Sequence, residues 1–282
     1  VNLKTLILGA NGQLGQALSL EFPDAEQVTR QTLDLSDPSI LTARNWQEYG
    51  LILNAAAYTA VDLAETEEGR IDAWRSNATT PGYLSQISRG HDITVVHISS
   101  DYVFDGTKQV HTEDEPFSPL GVYGQSKAAG DIAISTAERH YILRTSWVIG
   151  EGKNFIQTMQ MLAEKGVKPS VVNDQIGRLT FTTDLAKAIK HLVENNAPYG
   201  TYNLTNDGES VSWAEVASLV YEQVGHNRDE VTGVSTAEYY AGKDGIAPRP
   251  LQSTLDLGKI KAKGFEPRRW ETALNEYLKQ QS

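Results

Sequence analysis

Leu6-Ile7-Leu8-Gly9-Ala10-Asn11-Gly12-Gln13-Leu14-Gly15 decides the fold. The three apolar residues, with no polar alternation, read as a strand buried on both faces. Glycines at 9, 12 and 15 follow at once, and a helical pattern runs on from Gln13 to Phe22. Between a strand and a helix, glycine permits a tight turn and close approach of backbone amides to a pyrophosphate. The helix N-terminus adds the positive potential of its unpaired N–H groups. Gly9, Gly12, Gln13, Leu14 and Gly15 are therefore expected against a dinucleotide.

Further unalternated apolar runs follow: Leu51-Ile52-Leu53, Val95-Val96-His97-Ile98 and Tyr141-Ile142-Leu143. Segments between them, such as Thr80 to Arg89, are long enough for crossover helices. Alternation of this kind predicts an α/β fold with a Rossmann-type, doubly wound parallel sheet. The later chain is different. Thr183 and Asp184 are expected to cap a helix carrying Leu185, Ala188, Ile189, Leu192 and Val193. Ser212-Trp213-Ala214-Glu215 fits a capping box. Trp270, Ala273, Leu274, Tyr277 and Leu278 repeat at helical spacing. We read residues 1–150 as a nucleotide-binding domain and 151–282 as a smaller, mostly helical substrate lobe, with a segment near 180–206 returning to the first.

The 282 residues carry a net charge of −11 and contain no cysteine. The acidic balance argues against nucleic acid as a partner. Without cysteine there are no disulfides, thiol nucleophiles or thiolate zinc sites. No apolar run reaches the roughly 18 residues of a membrane span. The opening VNLKTLILGANG lacks the features of a signal peptide, so a cytoplasmic protein with no membrane partner is expected. The initial Val leaves open a longer polypeptide.

Cofactor choice in such folds is made at the end of the second strand. A carboxylate there suits a ribose 2′-hydroxyl, and an arginine suits a 2′-phosphate. The strand expected over Glu26 to Thr29 ends at Arg30 with no acidic residue, which points to NADPH. NADH remains a second candidate. Asp34-Leu35 follows, beside the expected adenine.

Tyr123-Gly124-Gln125-Ser126-Lys127 places a phenol and an ammonium four residues apart, on one face of a helix. A carbonyl that accepts hydride needs a proton, which a tyrosine can give. A neighbouring lysine charge is expected to lower the phenol pKa. The lysine can also hydrogen-bond the nicotinamide ribose. Tyr239 and Lys243 repeat the spacing outside any nucleotide-binding unit, so that copy is read as structural or accidental. Ser99-Ser100-Asp101-Tyr102 ends the strand before Tyr123. A hydroxyl there can bind the substrate carbonyl, and Asp101 can orient a substrate hydroxyl or relay a proton. Ile98, on the same strand, is expected against the cofactor.

The Gly-x-x-Gly-x-x-Gly spacing points towards short-chain dehydrogenases. With Leu53 to Asp62 (LNAAAYTAVD), Ser99 to Gly106 (SSDYVFDG), Pro119 to Lys127 (PLGVYGQSK), Arg144 to Val148 and Asn173-Asp174-Gln175, the chain resembles the dTDP-4-dehydrorhamnose reductase family of extended short-chain dehydrogenases over nearly its whole length. That resemblance implies reduction of the C4 ketone of a dTDP-sugar. It places Gly12, Gln13, Leu14, Asp34, Leu35, Ala57, Tyr58 and Thr59 at the cofactor, and Ser100 and Asp101 at the substrate. It makes Tyr123 the proton donor, Lys127 its partner and Trp147 a wall of the sugar pocket. Arg249, by charge and position, is the candidate for the substrate pyrophosphate. Two departures stand out: Ser100 where the family usually has Thr, and Gly177-Arg178-Leu179-Thr180 where it commonly has Gly-x-Pro-Thr. No metal is expected, and a homodimer is the assembly held open. The competing readings are an epimerase or dehydratase that retains NAD, and a non-catalytic subunit resembling the regulatory subunit of methionine adenosyltransferase.

Overall fold

The structure, a computed structural model, describes residues 3–281. The chain begins β1 (Lys4–Leu8), α1 (Gln13–Glu21), β2 (Glu26–Val28) and β3 (Tyr49–Asn54). It continues through α2 (Glu67–Trp74), a π-helical turn at Arg75–Thr79, α3 (Thr80–His91), β4 (Thr94–Ser100), α4 (Val122–Ser135) and β5 (His140–Thr145). A lobe then opens with β6 (Val148–Ile149), α5 (Phe155–Glu164), β7 (Ser170–Val172), β8 (Ile176–Gly177) and β9 (Thr180–Phe181). Next come α6 (Thr182–Glu194) and β10 (Gly200–Asn203), followed by β11 (Val211–Ser212), α7 (Trp213–Gln223), β12 (Thr232–Val234), α8 (Thr236–Tyr239), α9 (Gly258–Lys261) and α10 (Trp270–Gln281).

Six strands form the main sheet in the order β10-β5-β4-β3-β1-β2. All its pairings are parallel. The doubly wound sheet expected from the apolar runs is thus present. Its strands lack alternation because both faces are covered. Ile7, Leu53, Val96 and Leu143 pack under α1 and α6 with Leu14, Leu18, Leu185 and Ile189. Their neighbours Leu6, Leu8, Ile52, Val95 and Ile142 pack on the other face with Leu84, Ile87 and Ile134 of α3 and α4. The period of two that sends side chains to opposite faces is intact, with apolar residues on both. The order reverses between β1 and β3, which opens a crevice at the C-terminal strand ends.

α6 lies on α1 and β10 pairs with β5, although both follow the first lobe helix in sequence. A separate core of Ile156, Met159, Val216, Val220, Trp270 and Leu274 joins α5, α7 and α10. Among the described residues, no helix is long and apolar enough to cross a membrane.

Two helix starts differ from expectation. α6 is preceded by Phe181, with no side-chain cap. Asp184 turns its carboxylate to Asn206 Nδ2 at 2.7 Å and Arg268 Nη2 at 3.0 Å instead. Ser212 does cap α7, accepting from the Glu215 amide at 3.1 Å. Glu215 itself pairs with Arg228, so the box is only half made.

Candidate active site

The glycine turn sits at the crevice. Gly9 has φ +76° and, with Ala10, donates to Val28 O at 2.9 and 3.1 Å. A Cβ on Gly9 would lie 2.8 Å from Ala56 Cα. A Cβ on Gly15 would lie 2.1 Å from Gly9 O, so the third glycine lets α1 press against the turn. Gly12 precedes α1 without a side-chain cap, and the first turn holds no acidic residue. The amides at this helix start therefore face the crevice uncapped, as an anion site requires.

Two cavities run from this turn along the strand ends. The first, of about 210 Å³, is lined by Gly9, Gly12, Arg30, Asp34, Leu35 and Ala55 to Ala57, among others. The second, of about 530 Å³, shares Gly12 and Ala55 to Ala57 and extends to Gln13, Leu14, Thr59, Ile98, Ser100, Asp101, Tyr123, Lys127 and Trp147. A dinucleotide laid across the turn would reach from one into the other. The residues present fit such a cofactor: a left-handed glycine, an uncapped helix start and a cavity on either side.

Arg30, two residues past β2, lines the smaller cavity. The Asp34 carboxylate accepts from the Ser36 amide and hydroxyl at 2.9 and 2.7 Å, and these bonds hold it below the usual carboxylate range. The charge free to meet a 2′-phosphate is therefore the arginine's. Arg30→Ala is expected to raise KM for NADPH about tenfold or more, the worth of one charge-assisted phosphate contact, while KM for NADH changes little. Equal effects on both cofactors would contradict this placement.

Tyr123, half-buried, and Lys127, buried, share one face of α4, and Ser100 and Asp101 lie at the end of β4 opposite them. Ser100 Oγ donates to Asp101 Oδ1 at 3.0 Å, and the Ser100 hydroxyl also meets the Tyr123 phenol. Lys127 Nζ donates to Ile98 O at 2.5 Å. Burial pushes the Lys127 amine down to about 8 and the Asp101 carboxyl up to about 6. The phenol departs from expectation. Burial pushes Tyr123 up to about 12, and Lys127 is not among the groups that move it. The ammonium is committed to the Ile98 carbonyl, so desolvation of the phenol outweighs the lysine charge.

Trp147 reaches the larger cavity from a left-handed backbone, φ +48°, a conformation that bulky residues adopt only when their surroundings enforce it. Its indole stacks on Trp213, with ring centres 3.8 Å apart and planes 17° apart. Thr180 donates to its carbonyl at 3.0 Å.

Tyr58 and Arg249 do not line either cavity. Tyr58 packs towards Ala64, Ala73 and Val122, near Tyr123. Arg249 pairs with Asp62 at 2.8 Å, donates to Ala247 O at 2.8 Å and lies over the Tyr240 ring. Arg249 thus bridges residues 247–250 and the loop after β3. The second tyrosine-lysine pair is a surface contact, with Lys243 Nζ 4.3 Å from the Tyr239 ring centre.

Residues of the site not singled out from sequence include Asn77, Trp213 and Ser253. Asn77, in the π-helical turn, accepts from the Tyr58 amide at 2.9 Å. It donates to Tyr58 O and Ser126 Oγ, each at 3.1 Å. It thereby ties the loop after β3 to α4. Trp213 was read only as a helix start, and Ser253 not at all; both line the larger cavity.

A family model described as the RmlD substrate binding domain matches residues 3–282. The chain belongs to this family. Among its RmlD relatives, the dTDP-4-dehydrorhamnose reductase of Aggregatibacter actinomycetemcomitans is 36% identical, over 96% of this chain and 97% of the relative. The spore coat polysaccharide biosynthesis protein SpsK of Bacillus subtilis is 37% identical, over 99% and 98%. Among solved structures, dTDP-4-dehydrorhamnose reductase of Bacillus anthracis in complex with NADP superposes with a TM-score of 0.89 at 32% identity, covering 99% of this chain and all (100%) of the other.

Proposed function

We propose that the chain reduces the C4 ketone of dTDP-4-dehydro-L-rhamnose to dTDP-L-rhamnose with NADPH, as an oxidoreductase of deoxysugar nucleotide and polysaccharide biosynthesis. The observation that carries this reading is one cleft holding Tyr123, Lys127, Ser100 and Asp101 next to the glycine turn. When bound, NADPH supplies the hydride. The chain supplies the rest. Tyr123, with its pKa near 12, keeps its proton at neutral pH and releases it as the carbonyl oxygen gains alkoxide character. Ser100 offers that oxygen a hydrogen bond. Lys127, charged below about pH 8, is placed to hold the ribose. Asp101 orients a substrate hydroxyl, and Trp147 forms a wall for the sugar.

Relatives named dTDP-4-dehydrorhamnose reductase and a neighbour solved with NADP support this assignment. Arg30 beside the smaller cavity favours NADPH over a retained NAD. The four polar site residues favour an enzyme over a regulatory subunit. A cytoplasmic location and a homodimer belong to the same proposal. The test is a side-by-side assay of NADPH and NADH oxidation with dTDP-4-dehydro-L-rhamnose. Faster turnover with NADPH is expected. No oxidation of either cofactor would overturn the assignment.

A further inference from the structure

Behind the catalytic pair lies a buried polar cluster that the mechanism above does not use. Asp131 continues the spacing of Tyr123 and Lys127 along α4 and is 1% exposed. Its Oδ2 accepts from Arg144 Nε on β5 at 3.1 Å. Its Oδ1 has no hydrogen-bond partner and lies 3.9 Å from His97 Nε2 on β4, which has none either. Ser99 Oγ faces the same carboxylate.

The hydrogen-bond pattern assigns the histidine proton. The Ala56 amide donates to Asn54 Oδ1 at 3.3 Å, so the Asn54 nitrogen is the atom that faces His97 Nδ1, at 3.0 Å. Nδ1 accepts that bond, which leaves the proton of a neutral imidazole on Nε2, pointing at Asp131. Burial and the Lys127 charge both hold His97 neutral. The chain of contacts therefore runs from the loop lining both cavities, through Asn54 and His97, to Asp131.

Asp131 has reason to be charged. Burial pushes its carboxyl up, but Arg144 pulls it back. Arg144 is buried, cannot shed its proton, and has Asp131 as its carboxylate partner among the described residues. Its other contacts are Glu113 O at 2.9 Å and the faces of Phe104 and Phe117. A buried guanidinium so placed keeps its partner ionised.

Resting on the reductase reading, we infer that Asp131 is a positioning residue whose buried negative charge keeps Lys127 protonated for the cofactor ribose. Burial alone drives the Lys127 amine towards neutrality, and Asp131 is the charge that opposes it. The titratable and charged groups facing this pair are Tyr123 on α4, His97 on β4, Arg144 on β5, and Asp101 beyond the phenol.

The test is NADPH affinity against pH, by calorimetry, with kcat/KM measured in parallel. Wild-type affinity is expected to fall as pH rises through about 8, where Lys127 loses its proton. Asp131→Asn should move that midpoint down by about one unit, making kcat/KM at pH 8 about fivefold lower. Asp131→Glu should restore the wild-type midpoint, which a merely structural loss would not do. His97→Leu is the control for a merely structural disturbance of the cluster, since it leaves the Asp131–Arg144 ion pair and the Lys127 midpoint in place. If Asp131→Asn does not fold because Arg144 is left unpaired, the fallback that reads the charge is the double variant Asp131→Asn/Arg144→Gln. It removes the carboxylate together with its guanidinium and should lower the midpoint. An Asp131→Asn profile, or that of its fallback, that superimposes on wild type would overturn the inference. Failure of the substrate assignment would leave the NADPH titration intact, whereas a wild-type chain that binds no NADPH would overturn the reductase reading itself.

Discussion

Tyr123→Phe is expected to bind NADPH with wild-type affinity and to lose about a thousandfold in kcat, the scale of a well-placed general acid. The substitution removes one oxygen and keeps the ring. The edge-to-face contact with Tyr102, with ring centres 5.3 Å apart, needs only that ring, so α4 and the cavity wall keep their shape. What disappears is the proton that the developing alkoxide takes. Lys127 cannot replace it, because its ammonium is held on the Ile98 carbonyl. The Ser100 hydroxyl can donate a hydrogen bond but is a far weaker acid than a phenol. The measurement is single-turnover NADPH oxidation beside a fluorescence titration of NADPH. Turnover within tenfold of wild type would remove Tyr123 from the proton-transfer role.

Gly15→Ala sets two magnitudes against each other. Alanine is the better helix former, by about 1 kcal/mol, which would stabilise the first turn of α1. The new Cβ would sit 2.1 Å from Gly9 O and 2.6 Å from Ala10 Cα, both backbone atoms that cannot swing away. Such overpacking costs about 3 kcal/mol or more when the backbone itself must move. The clash wins, and the melting temperature is expected to fall by roughly 6 °C or more. The displaced turn should also weaken NADPH binding at least tenfold. Gly82→Ala in α3 is the internal control, since its Cβ would meet nothing within 4 Å. There helix propensity acts alone, and a rise of about 2 °C is expected. A Gly15→Ala protein as stable as the Gly82→Ala protein would contradict the close packing of helix on turn.

The sheet was legible because its strands are covered on both faces and so appear as bare apolar runs, such as Leu6 to Leu8 and Leu51 to Leu53. Strands of two or three residues in the lobe, such as Val148–Ile149 and Ile176–Gly177, are too short to show any period. The glycine turn, Ser100, Tyr123 and Lys127 were legible because each chemistry demands a residue type at a fixed local spacing. Asn77 was not, since its work is done by contacts to Tyr58 and Ser126 that no local pattern encodes. Trp213 meets Trp147 only through the folding of the lobe. The ion pair of Arg249 was hidden for a similar reason. Its charge was visible, but its partner Asp62 lies 187 residues away. The phenol pKa failed on a competition of magnitudes: proximity of Lys127 was foreseen, and the desolvation of Tyr123 was not.

The central claim is net hydride transfer from NADPH to a sugar C4, with protonation by Tyr123. It is tested most directly by incubating the protein with dTDP-4-dehydro-L-rhamnose and NADPH deuterated at the transferable C4 position. One deuterium at C4 of the sugar product, with one NADP⁺ formed per sugar, is the predicted result. A product without deuterium, or one formed with no net oxidation of NADPH, would contradict the account.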